Sequence, residues 1–280
     1  MEQAEELEAA ALAQEPFPVT HSTFQESGQR AALDDPRLAD REAGSSLPDQ
    51  EITGQAIFAL AEDGRLNLGD GLDARIRVKT EGQIVTITGV VDSAGQRMAA
   101  EELVEAIPGV RLVQNALTVS VDSYLEDKEL AREVRKRLDE AGFAWVGARV
   151  SRGTARLVGV AEKLADEERA VQVAAWVKGI GDVVSNIKVR MPEYTDEIDL
   201  LSLLTQNLAL NEIVVLDREV GVSRDGLVRI SGEVQSLRDC RRIRRIIAEI
   251  PGVRAIKEEL RVNHAIFHDW QARTHLSTGR

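Results

Sequence analysis

Five arginines stand within one eight-residue stretch: Arg238, Arg241, Arg242, Arg244 and Arg245. A guanidinium presents a planar fork of donors that holds phosphate or carboxylate oxygens in pairs. Such a cluster suits an anionic surface, where each cation adds roughly 1 kcal/mol of attraction. Ile243, Ile246, Ile247 and Ile250 recur among them at i, i+3, i+4 and i+7, the spacing of one helical stripe. With that stripe buried, all five guanidiniums are expected on the solvent side of the helix. Trp145, Trp176, Arg156 and Arg229 are further candidates for partner contact. Trp176 adjoins the apolar Val177, so it is expected half-buried where two parts of the fold meet.

Other reactive residues lead to weaker chemistry. Cys240 lies between Asp239 and Arg241, and neighbouring arginines favour a thiolate. No histidine stands near it in sequence, so a catalytic thiol is not expected, and a lone cysteine forms no internal disulfide. His264 and His268 are four apart, a spacing that shares a metal on a helix, but no third ligand accompanies them. The run Gly69 to Ala74 fits Gly-x-Gly-x-x-Ala. It follows a helical pattern and precedes a strand, the reverse of the dinucleotide-binding order. No catalytic residue, metal site or cofactor is expected.

The elements that carry these residues are written three times. Gly89, Gly159 and Gly232 each close an alternating apolar run, at spacings of 70 and 73 residues. Gly109, Gly179 and Gly252 follow 20 positions after each. A fixed period of this kind sets the fold and the domain count. Each copy reads as helix, strand, strand, helix, strand. The first helix shows as Ile52, Ala56, Leu60, then Leu130, Val134, Leu138, then Ile198, Leu201, Leu204, Leu208. Glycine turns at Glu81-Gly82, Arg152-Gly153 and Asp225-Gly226 predict hairpins. Val85 and Ile87, Ala155 and Leu157, Val228 and Ile230 alternate with mostly polar residues, as a half-buried sheet requires. The second helix carries Ala100, Leu103, Val104, Ile107, with the matching Ala170, Val173, Ala174, Val177 and the isoleucine stripe. The second glycine is expected to cap it. The fold class is therefore α+β: three small αββαβ modules, each a three-stranded sheet with two helices on one face. The expected boundaries are 50–122, 123–192 and 193–263. An acidic disordered tail, 1–49, precedes them, and a tail of residues 264–280 follows.

The skeleton Val-x-Leu-x-Gly-x-Val, helix, Gly-Val-x-x-Val-x-Asn-x-Leu-x-Val resembles the BON domain family. The first copy matches through Val85, Ile87, Gly89, Val91, Gly109, Val110, Val113, Asn115, Leu117 and Val119. The second has Ser185 in place of the Asn, and the third has Glu258. The resemblance implies small α/β modules that bind phospholipid surfaces or mediate association. It implies no catalytic residue, and an envelope setting with a periplasmic home.

Charge narrows the partners. The chain of 280 residues carries a net charge of −12, and residues 1–50 hold eleven acids against three bases. That disfavours nucleic acid. The acidic N-terminus lacks the basic start and apolar core of a secretory signal, and no run is long enough to span a membrane. The expectation is a non-enzymatic, cytoplasmic protein, peripheral at the membrane, that binds anionic phospholipid in envelope or osmotic stress. A protein–protein adaptor without lipid affinity is the alternative, and a sensor of small ions or ligands is a weaker one.

Overall fold

A computed structural model describes residues 47–66, 76–120, 126–192, 197–211 and 213–263. The segment 1–46, Gly69 to Ala74, and the histidines His264, His268 and His275 lie outside the described residues. Three modules of one plan follow each other. The first is built from α1 (Asp49–Glu62), β1 (Ile76–Glu81), β2 (Ile84–Val91), α2 (Ala94–Glu105) and β3 (Leu112–Val119). The second holds α3 (Asp127–Glu140), β4 (Gly147–Ser151), β5 (Thr154–Ala161), α4 (Leu164–Ala175) and β6 (Asp182–Val189). The third holds α5 (Glu197–Leu210), β7 (Leu216–Val222), β8 (Leu227–Val234), α6 (Leu237–Ala248) and β9 (Ala255–Val262).

Each sheet has three strands in sequence order, the first pair antiparallel and the second parallel. Parallel neighbours need a crossover, and the second helix of each module supplies it. The apolar stripes seal the space between helices and sheet. Ile52, Leu60, Val85, Ile87 and Val104 are fully buried in the first module. Val134, Leu138, Leu157 and Ala174 are buried in the second, and Leu204, Ile230, Ile243 and Ile247 in the third. Burying each such Val, Leu or Ile side chain favours folding by about 1.5–3 kcal/mol.

Two local expectations need correction. Gly109, Gly179 and Gly252 do not cap the second helices. Each helix ends earlier, with Ala106, Trp176 and Glu249 as C-caps. The glycine is the third residue of a tight turn, closed by Val110 N–H to Ile107 O, Ile180 N–H to Val177 O, and Val253 N–H to Ile250 O. Its φ of 89°, 90° or 94° is the left-handed value that a type II turn demands there. In the first hairpin the tight turn is Gly82-Gln83, not Glu81-Gly82, because Glu81 still pairs with Ile84. The helix start holds that turn: the Asp49 carboxylate accepts from Gly82 N at 2.8 Å and Gln83 N at 2.9 Å. Asp127 does the same for Arg152 N and Gly153 N. Asp49 belongs to the stretch that composition assigns to the acidic tail.

The modules are not loose beads. The start of each second helix docks on the end of another, head to tail. Ala94, which opens α2, joins the second module's core. Leu164 and Ala165, which open α4, join the third module's core. Leu237, which opens α6, packs against the first module's core. Three heterologous contacts of one kind thus close a ring about an approximate threefold axis. The first seam is the tightest: Ala94 N–H donates to Ile180 O at 2.8 Å, and Gly179 N–H to Asp92 O at 3.1 Å.

Candidate docking surface on the third module

Ile243 and Ile247 of α6 are buried and Ile246 is half-buried, and the five arginines around them part company. Arg238, Arg242 and Arg245 stay exposed, at i, i+4 and i+7, one face of the helix. Arg242 donates through Nη2 to Asn211 O at 2.8 Å, and Arg245 lies 3.9 Å from Glu102. Arg241 and Arg244 turn the other way, into the seams. Arg241 Nε bonds the carboxylate of Glu105 in the first module, whose residue is only 8% exposed. Arg244 reaches Glu168 of the second module at 2.7 Å and Glu258 of its own at 2.8 Å. The expected row of five solvent-facing guanidiniums is therefore corrected to three. The other two are held by carboxylates that lie far away in sequence.

The electrostatics follow this geometry. Burial alone lowers the Arg241 and Arg244 guanidiniums, but Glu105 and Glu168, with further carboxylates nearby, hold both above the ordinary value. Burial pushes the Glu105 carboxyl up, and Arg241 pulls it only part of the way back. Burial, followed by the carboxylates of Glu258, Glu105 and Asp239, pushes the Cys240 thiol up to about 12. Cys240 is thus a half-buried packing residue and not a poised nucleophile.

Beside α6, helix α5 exposes apolar side chains on both flanks of its buried face, two of them at positions where the sequence pattern predicts core. In α5 the buried face is Leu200, Leu204 and Leu208. Ile198 and Leu201, expected inside, are exposed, at 74% and 39%, and Leu203 and Leu210 join them. The same helix of the second module, α3, exposes Lys128, Arg132, Arg135 and Lys136 instead. The signal was present in the sequence: residues 197–210 hold too many leucines for one stripe. The Arg242 bond to Asn211 ties the end of α5 to the arginine stripe.

The remaining candidates lie elsewhere. Trp176 sits in the first seam, where a Cβ on Gly95 would meet its Cδ2 at 2.7 Å and its Cα at 2.9 Å. Trp145 makes an edge contact with Phe143 at 5.9 Å and covers Gly159. Arg156 is exposed on the outer face of the second sheet, directly across from Arg149, with Lys188 on the neighbouring strand. Arg229 pairs across the third sheet with Lys257. Gly89 and Gly232 both have φ of 140°. At Gly232 a Cβ would lie 2.7 Å from Leu216 O, so the glycine lets β7 approach. Among the described residues no group of three or more His, Cys, Asp or Glu is placed to hold a metal, and no helix is long and apolar enough to cross a membrane.

The BON domain family model matches residues 48–120, 126–191 and 203–264. Osmotically-inducible protein Y of Escherichia coli (strain K12) is 27% identical over 156 residues, covering 52% of this chain and 75% of that protein. Among solved structures, CdsD, a structural protein of the type III secretion system of Chlamydia trachomatis, aligns over 80% of this chain and 98% of its own. Its TM-score is 0.20 at 13% identity. The PrgH periplasmic domain aligns over 68% of this chain and 95% of its own, with a TM-score of 0.19 at 10% identity. Overlap this poor carries no argument about this chain.

Proposed function

The chain belongs to the BON domain family, and from that premise we propose that it is a non-catalytic protein whose third module docks on anionic phospholipid surfaces. The observation that carries this reading is the set of exposed apolar side chains on α5, Ile198, Leu201, Leu203 and Leu210, on the helix next to Arg238, Arg242 and Arg245. An apolar helix flanked by cations suits the boundary between acyl chains and head groups, where leucines enter the bilayer edge and guanidiniums hold phosphates. The relation to an osmotically inducible protein supports a role in osmotic stress; the surface proposed for it is the cytoplasmic face of the membrane.

Replacing Arg238, Arg242 and Arg245 together with Gln removes three cations. At roughly 1 kcal/mol each, binding to anionic vesicles should fall about 100-fold. Vesicle flotation reads this, with neutral vesicles as the control. Equal flotation of wild type and triple variant would end the lipid proposal. The second reading is a protein adaptor, favoured by the basic outer face of the second sheet. Under that reading Arg156→Glu abolishes partner binding and leaves flotation unchanged.

A further inference from the structure

We propose that the seam between the third and first modules is a clasp that opens as ionic strength rises, while the other two seams stay shut. The three seams share one geometry and differ in what holds them. The first is closed by two main-chain hydrogen bonds and by Trp176 lying against Gly95, none of which salt screens; its ion pair, Arg97 to Asp182, is a long contact of 3.9 Å at the edge. The second buries Leu164, Ala165 and Val189 in the third module's core, and residues 190–196 join its two sides covalently. Lys163 and Arg169 add ion pairs to Glu249 there.

The third seam lacks both kinds of support. The chain does not connect its two sides directly, and α2 and α6 approach less closely than either pair of second helices at the other seams. Its apolar contact is the half-buried Leu237. What remains is charge: Arg241 on Glu105, and Arg245 near Glu102. At the places equivalent to Glu105 the other second helices carry Ala175 and Ala248, both fully buried. Glu105 is buried, but the Arg241 side chain is 36% exposed and Arg245 and Glu102 lie open at 74% and 44%, so mobile ions reach the outer half of the seam. The Debye length falls from about 10 Å at 0.1 M to about 3 Å at 1 M; the exposed Arg245–Glu102 attraction falls with it, and the separated charges of the open seam gain more from the added ions than the buried pair does. Burial raises the Glu105 carboxyl further than Arg241 lowers it, so pairing does not fully offset the desolvation of closure.

The clasp stands independently of the lipid reading, and its test uses no lipid. In the full chain with Cys240→Ser, spin labels go on Thr88→Cys and Arg229→Cys, on the outer sheet faces of the first and third modules. A control chain carries Thr88→Cys and Arg156→Cys, spanning the first seam. Double electron–electron resonance at 0.05 M and 0.6 M NaCl reads both distances. A second, longer population should appear at high salt for the first pair, growing at least threefold, with the control distance constant. Glu105→Leu with Arg241→Met replaces charge by packing and should remove the response. The reversed pair, Glu105→Arg with Arg241→Glu, should keep it, and guards against a misfolded apolar variant. A first-to-third distance that ignores salt overturns the clasp, as does a response that survives in the apolar variant.

Discussion

Asn115, Ser185 and Glu258 occupy one place in the three modules, and each ties the third strand to the second helix. Asn115 Nδ2 donates to Arg97 O at 2.8 Å and to Glu101 at 3.1 Å. Ser185 Oγ donates to Glu167 at 2.6 Å. Glu258 accepts from Arg244, which stands where the first module has Glu101. An amide–carboxylate pair in one copy has become a carboxylate–guanidinium pair in another, with the tie kept. Arg244→Met should cost about 1–3 kcal/mol, since it leaves Glu258 and Glu168 half-buried without their cation. Urea unfolding reads the loss, and Arg244→Met with Glu258→Gln should recover part of it. Glu105 makes a pH prediction. Its folded value is raised, so the folded state binds its proton better than the unfolded chain does. Its stabilising effect is full below the ordinary value of 4.5 and is lost as pH rises through the raised value. Glu105→Gln should therefore flatten the wild-type decline in urea midpoint as pH rises above 4.5; an unchanged slope would refute this. The glycines and apolar stripes were legible in sequence because local rules place them. The partners of Arg241 were not, because Glu105 lies 136 residues away.

Elements repeat more faithfully than residues do. The second helix keeps its core stripe in all three copies, which is why its existence and its buried face could be read directly. A second face of the same helix was missed. Ala94, Glu105, Leu164, Val171, Ala175 and Ala248 are buried off that stripe. In α4 this second face is already apolar as Leu164, Val171 and Ala175, a signal that marks a helix packed on two sides. Gly95 belongs to this face. Gly95→Ala pushes a methyl into Trp176, including its backbone, and should cost about 1–3 kcal/mol by overpacking. Gly64→Ala, where a Cβ meets nothing, is the control in the same thermal melt. The turn glycine gives another prediction: Gly109→Ala should destabilise by about 1–2 kcal/mol, the cost of a left-handed backbone with a side chain.

At the scale of the whole molecule, three cores meet around three helices, and one seam is held by main-chain bonds and an indole. Trp176→Ala empties that seam, and the single melting transition expected of the wild type should split in two by calorimetry. A split at unchanged helix content would separate lost docking from lost folding. The period of about 70 residues was enough to count modules, but not to show that they close on each other. Closure depends on side chains whose neighbours are remote. Head-to-tail contacts of like units ordinarily have no natural end, and an open row of them grows into a filament. Here the third unit turns back to meet the first, so each complementary end is consumed within one polypeptide. The chain carries its own stop to polymerisation.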